Sequence, residues 1–189
     1  MDPQYTGQFW PSTPAGTVRM PIEATYHARR SRRRHSTIPD EEGFSTPYND
    51  RATFAYLGNV TLGEPAQVVS LELDWKGLDM WCQSSANPGC HKTDLDFCAI
   101  SRTYNRGKSR TTRFTNFKGR MTYDDSTYAR VSAVVDKAAI SGKVMEQFTF
   151  GVSVESTAIY GRLGLGKSDS VGVVRADTLQ NKLLSSGQF

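Results

Sequence analysis

The chain has 189 residues, 38% hydrophobic and 22% charged, with 16 Gly and 8 Pro, which suits one domain with a modest core and many turns. No apolar run approaches the roughly 20 residues that span a bilayer, and Met1-Asp2-Pro3-Gln4-Tyr5 is not a basic stretch leading into an apolar one, so neither a membrane segment nor a signal peptide is expected. Arg29, Arg30, Arg32, Arg33 and Arg34 supply more than the whole net charge of +4, which leaves the remainder near neutral and argues against a folded basic surface for nucleic acid.

Residues 1–50 are rich in Pro, Ser, Thr and charge, show no sustained apolar period, and read as a mostly disordered basic tail. Within them, Gly16 to Ile22 alternates apolar with polar and is expected to dock as an edge strand, since Pro21 cannot donate to a ladder on both sides. The tract Arg29-Arg30-Ser31-Arg32-Arg33-Arg34-His35 reads as solvated tail, with a nuclear signal, a phosphate-binding patch and a basic processing site as alternatives. No interleaved aromatic platform accompanies it, so no nucleic-acid partner is expected.

Residues 51–189 form the expected folded domain. Phe54 to Leu62 reads as a strand, Gly63-Glu64-Pro65 as a turn, and Gln67 to Leu73 as a second strand with Val69, Leu71 and Leu73 on one face. Together they predict a hairpin. A second hairpin is expected from Arg120–Tyr123 and Ala129–Ala139, joined through Asp124 to Thr127, and Gly142 turns the chain into a strand bearing Phe148, Phe150 and Val152. Leu163-Gly164-Leu165-Gly166 is a short apolar run punctuated by glycine. Asp177 to Ser186 is the one predicted helix, with Asp177 as cap, Leu179 and Leu183 on one face and Gly187 as terminator.

Of the three cysteines, Cys90 and Cys98 can pair across a short loop in an oxidising compartment, which leaves Cys82 free. His27, His35 and His91 are scattered, no C-x-x-C spacing occurs, and no metal or cofactor is expected. Asn59-Val60-Thr61 is a glycosylation sequon, but it lies inside a predicted strand. There is no Gly-x-Ser-x-Gly and no placeable Cys/His pair.

Several motifs fall in one order. Tyr56 to Gln67 is similar to Y-x-G-x-[VI]-x-[IV]-G-T-P-P-Q. Leu73-Asp74 and Asp79-Met80-Trp81 bracket the position of D-T-G-S-S-[DN]-L-W without a gap. Met121 to Asp125 is similar to I-x-Y-G-D, Phe148 to Val152 to the strand that follows it, and Tyr160 to Gly166 to D-G-I-L-G-L-G. By these motifs the chain resembles the pepsin-like aspartic endopeptidases, closest to fungal members, over about residues 52–187. The resemblance implies an all-β fold, the N-terminal lobe of the bilobal acid protease fold with one short C-terminal helix. It also implies peptide-bond hydrolysis, a peptide or protein substrate, and secretion or a vacuole as the usual destination. In fungal relatives the loop holding Cys90 and Cys98 often carries a disulfide.

The chemistry of that family uses two carboxylates sharing one proton, because two like charges about 3 Å apart cannot both ionise. The resemblance places Asp74 at the first carboxylate, Tyr123 at the flap that covers substrate, Trp81 behind Tyr123 or in the core, and Gly164 and Gly166 as supports of the cleft. The motif is damaged. Trp75 stands where a threonine clamps the two lobes, Lys76 where a glycine lets an amide approach the carboxylate, and Leu78, after Gly77, where a serine can hydrogen-bond it. A one-residue slip could recruit Gly77, but the register of Asp79-Met80-Trp81 opposes it. Lys76 is expected to favour ionised Asp74, and Arg162, needing a carboxylate, has Asp74 as its candidate partner. No second Asp-[Thr/Ser]-Gly is present. The expectation is therefore a truncated, catalytically impaired protease lobe, with a second lobe or a homodimer needed to complete a site. The alternative is a non-catalytic peptide-binding protein using half of the cleft, with the Arg tract for an acidic partner.

Overall fold

The computed structural model describes residues 22–27, 53–88, 101–166, 172–173 and 178–185. Thr53–Leu62 (β2) and Gln67–Asp74 (β3) pair antiparallel, Leu57 opposite Glu72 and Leu62 opposite Gln67, as the expected hairpin. The turn between them places Gly63 at a φ of 76°, where a side chain is disfavoured. The alternation of β3 buries Val69, Leu71 and Leu73 and leaves Glu72 and Asp74 half-buried on its other face.

An N-terminal edge strand exists, but at Ile22–His27 (β1), paired antiparallel with β2 from Ile22↔Gly58 to His27↔Thr53. The stretch expected to dock, Gly16 to Ile22, meets it only at Ile22; residues 16–21 lie outside the described ones. Every residue of β1 has an N–H to give, and Thr25 and Tyr26 favour extended backbone.

The remaining strands are Met80–Cys82 (β4), Arg113–Thr122 (β5), Tyr128–Ile140 (β6), Lys143–Ser156 (β7) and Gly161–Gly164 (β8). Their order is β1-β2-β3-β8-β4-β7-β6-β5, with a further β2–β6 pairing. That pairing, Val60 to Leu62 against Ala138 to Ile140, closes β2, β3, β8, β4, β7 and β6 into a barrel and leaves β1 and β5 as edges. β6 serves two cores. Its last residues Val134, Ala138 and Ile140 pack with Leu71, Leu163 and Phe150, while Ala129, Val131 and Ala133 pack with Trp81 and Met121. A single Asp136 is buried at an inward position of this strand.

β8 is inserted between β3 and β4, parallel to the first (Leu73↔Leu163) and antiparallel to the second (Met80↔Leu163). Glycine makes this possible: a Cβ on Gly161 would lie 2.2 Å from the carbonyl oxygen of Trp81. Leu179–Ser185 (α1) follows, burying Leu179 and Leu183 as expected. Thr178 Oγ1 accepts the Asn181 N–H at 3.3 Å and so caps it; the expected cap Asp177 and terminator Gly187 lie outside the described residues. Among the described residues, no helix is long and apolar enough to cross a membrane.

Candidate functional site

Asp74 ends β3, and the chain must turn at once to reach β4. Its carboxylate Oδ1 accepts two backbone N–H groups of that turn, Lys76 at 3.1 Å and Gly77 at 2.8 Å. Gly77 is close for a reason: a Cβ there would come within 2.5 Å of Asp74 Oδ2. The amide approach expected to be lost with Lys76 is thus made by Lys76's own amide and by Gly77, one residue further on, while Asp79-Met80-Trp81 keeps its register against β8. The slip that the register was expected to oppose is absorbed inside the turn. Lys76 touches Asp74 through its backbone; its side chain is exposed, and among the described residues no ion pair joins the two.

The turn rests on the glycine-rich strand. Leu165 N donates to Asp74 O at 2.8 Å, Gly164 N to Asp79 O at 3.0 Å and Gly166 N to Gly77 O at 2.8 Å. Side chains on either glycine would collide with this turn, since a Cβ on Gly164 would sit 2.6 Å from Asp79 O and one on Gly166 2.7 Å from Lys76 O. Trp75, at the tip, is 67% exposed.

Tyr123 lies where β5 turns into β6. The turn is local chemistry: Asp125 Oδ1 accepts from Thr127 N at 2.9 Å and Thr127 Oγ1 at 2.6 Å, and Ser126 N donates to Tyr123 O. The phenol oxygen accepts the indole N–H of fully buried Trp81 at 2.6 Å. Trp81 therefore both backs Tyr123 and fills the core. Burial first, with the negative charges of Asp74 and Asp79, pushes the phenol up to about 12, against the Trp81 hydrogen bond and the Arg162 charge. Tyr123→Phe leaves a buried indole N–H without an acceptor and is expected to cost about 1–2 kcal/mol in urea unfolding, with no change in the far-ultraviolet dichroism of the sheet. A loss within error of zero would mean that the pair does not form.

Arg162 does not pair with Asp74. Its Nη1 binds Glu72 Oε1 at 2.8 Å, its direct neighbour in the β3–β8 register, and its guanidinium lies 4.6 Å from the Tyr123 ring centroid. The correction is one of strand parity: Glu72 and Asp74 share a face of β3, and the parallel ladder sets Arg162 opposite Glu72, Gly164 opposite Asp74. Glu72 escaped the sequence reading; the available signal was a second carboxylate on the same face of the strand, two residues before Asp74. Burial raises the Glu72 pKa, Arg162 opposes this, and the carboxylates of Asp125 and Asp74 add to the rise. Tyr160, in place of the usual aspartate, is buried with Ala55 and Leu57.

Cys82 is a free, buried thiol, pushed up by that burial; Cys90 and Cys98 lie outside the described residues, as does the Arg29–Arg34 tract. Among the described residues, no group of three or more His, Cys, Asp or Glu could hold a metal ion.

The sequence is similar to those of known proteins. The family model for eukaryotic aspartyl protease matches residues 55–188. A probable aspartic-type endopeptidase opsB of Aspergillus fumigatus is 33% identical over 135 residues, which cover 70% of this chain and 28% of the relative. Its Aspergillus oryzae counterpart is 32% identical over 117 residues, 62% of this chain and 24% of the relative. Secreted aspartic protease 5 of Candida albicans is 27% identical over 124 residues, 64% of this chain and 29% of the relative. The chain thus spans less than a third of the length of these relatives.

Proposed function

Because the chain belongs to the eukaryotic aspartyl protease family, we propose that it is a protease lobe that binds extended peptides against Asp74 and offers that side chain as one of the two carboxylates of peptide-bond hydrolysis. The observation that carries this reading is the double amide clamp on Asp74 Oδ1, which holds the carboxylate in one orientation at the end of β3. In the reaction one carboxylate, ionised, takes a proton from water as it attacks the carbonyl carbon. The other, protonated, gives its proton to the carbonyl oxygen, and the amine leaves with a proton returned from the pair. Asp74 can fill either role only opposite a partner, which a second lobe or a second copy of the chain would bring.

The 189 residues by themselves are impaired on this reading. They hold no second Asp-[Thr/Ser]-Gly, and the exposed indole of Trp75 occupies the place from which a threonine hydroxyl would clamp the partner. The expected result is no pepstatin-sensitive cleavage of a denatured protein by the chain alone between about pH 3 and pH 6, the range around the carboxylate pKa values. Cleavage in that range that disappears in Asp74→Asn would overturn the impairment and make a homodimer with two Asp74 side chains the working enzyme.

A further inference from the structure

The face of β3 that presents Asp74 also presents Glu72, and what surrounds Glu72 is not what an apolar peptide side chain would need. Arg162 pairs with it at 2.8 Å, and the side chains of the two are 18% and 19% exposed, so the pair is sunk into the surface but still open to the outside. Arg162 uses one oxygen of Glu72, and among the described residues nothing donates to the other. The guanidinium also lies 4.6 Å from the centroid of the Tyr123 ring, and its Nε, buried, has no partner among the described residues.

Carboxylates as well as Arg162 act here: Glu72 feels the charges of Asp74 and Asp125, and the Tyr123 phenol feels Asp74 and Asp79. Lys76 points into solvent at the tip of the turn. Glu72 thus sits beside further carboxylates, and one of its oxygens keeps a lone pair that no donor among the described residues uses.

We infer that Glu72, held by Arg162, whose guanidinium packs on the Tyr123 ring, is a specificity-determining residue that receives a lysine or arginine side chain of the bound peptide next to Asp74. An ammonium or guanidinium would complete the open oxygen of Glu72 with a charge-assisted hydrogen bond. An apolar side chain would cover the pair and strip its remaining water with no compensation, and an acidic one would meet the surrounding carboxylates. This inference rests on the peptide-cleft reading above.

The test is binding by the full chain, near neutral pH, of three end-blocked octapeptides that differ only at a central residue: lysine, norleucine or glutamate. Fluorescence anisotropy is expected to show the lysine peptide bound about tenfold more tightly than the norleucine peptide, as for one charge-assisted bond, and the glutamate peptide most weakly. Glu72→Gln should erase the lysine preference, whereas Asp74→Asn should keep most of it. Because Glu72→Gln leaves Arg162 without its anion, Glu72→Gln/Arg162→Gln is the companion variant; it removes both charges, and it too should bind lysine and norleucine peptides equally. Norleucine or glutamate bound as well as lysine by the unaltered chain would overturn the inference while leaving the cleft intact. So would a lysine preference lost in Asp74→Asn but kept in both Glu72 variants. If none of the three peptides bound, the cleft reading would fall first and this inference with it.

Discussion

Gly161→Ala is expected to lower the stability of the lobe by about 3 kcal/mol or more. The new Cβ would lie 2.2 Å from Trp81 O, 2.7 Å from Cys82 Cα and 2.9 Å from a Leu71 methyl. Two of these are backbone atoms of the strand next to it, so no side-chain rotation can make room. The strain would be shared by β3, β8 and β4, which carry Glu72, Asp74, Arg162 and Trp81. Gly142→Ala is the control. Gly142 has a φ of 78° but nothing within 4 Å of a built Cβ, so only backbone strain of about 1–2 kcal/mol is expected. Urea unfolding followed by tryptophan fluorescence compares the two, and a smaller loss at Gly161 than at Gly142 would be incompatible with β8 lying between β3 and β4.

The second large effect is expected at Asp136. This carboxylate is buried in β6 and accepts the hydroxyls of Tyr104, Thr111 and Thr112, the last at 2.6 Å, together with the Lys137 N–H at 2.8 Å. Burial alone would raise its pKa, but the bonds from Thr111, Thr112, Tyr104 and Ser109 outweigh burial and hold it below the ordinary aspartate value. The sign of the consequence follows. A carboxylate whose folded pKa is depressed adds stability in full above the ordinary value of 3.8 and loses it as the pH falls through the lower folded value. Asp136→Asn keeps the shape, loses the charge and turns an amide N–H₂ toward three hydroxyls. A loss of about 3 kcal/mol is expected above that window, shrinking toward zero in stronger acid. A loss that stayed constant down to the most acidic point would show that Asp136 is not the titrating group.

These positions also show what a sequence can disclose. The β2–β3 and β5–β6 hairpins were legible because one face of each is buried and the other wet, and that alternation is written locally. β5 was read only in its last residues, Arg120 to Tyr123. Its earlier part, Arg113 to Gly119, is an edge strand whose inward positions Thr115, Phe117 and Gly119 are only partly buried, and of these only Phe117 is a large apolar residue, so its alternation is weakly written in the sequence. Asp74 and Tyr123 could be named from motif order. The Glu72–Arg162 pair could not, because the contact spans two strands 90 positions apart in the sequence, joined only by the β3–β8 ladder. Asp136 left a signal that went unused: a lone carboxylate at the parity of Val134, Ala138 and Ile140 must be buried, and a buried carboxylate must be supplied with donors. The recruitment of Gly77 in place of the residue before it is a matter of turn conformation, which register counting over Asp79-Met80-Trp81 does not reach.

The position of β5 at the rim of the barrel bears on how two copies of this chain can meet. Residues 101–122 contain Arg102, Arg106, Lys108, Arg110, Arg113, Lys118 and Arg120 and no acidic residue. On β5 itself Arg113, Lys118 and Arg120 are exposed, and its pairing with β6 shifts register between Phe114 and Lys118. A second β5 brought alongside would set cation against cation along a ladder already out of step, which is how open strand edges are kept from polymerising. Both the charge and the register of this rim therefore disfavour sheet-to-sheet extension through it.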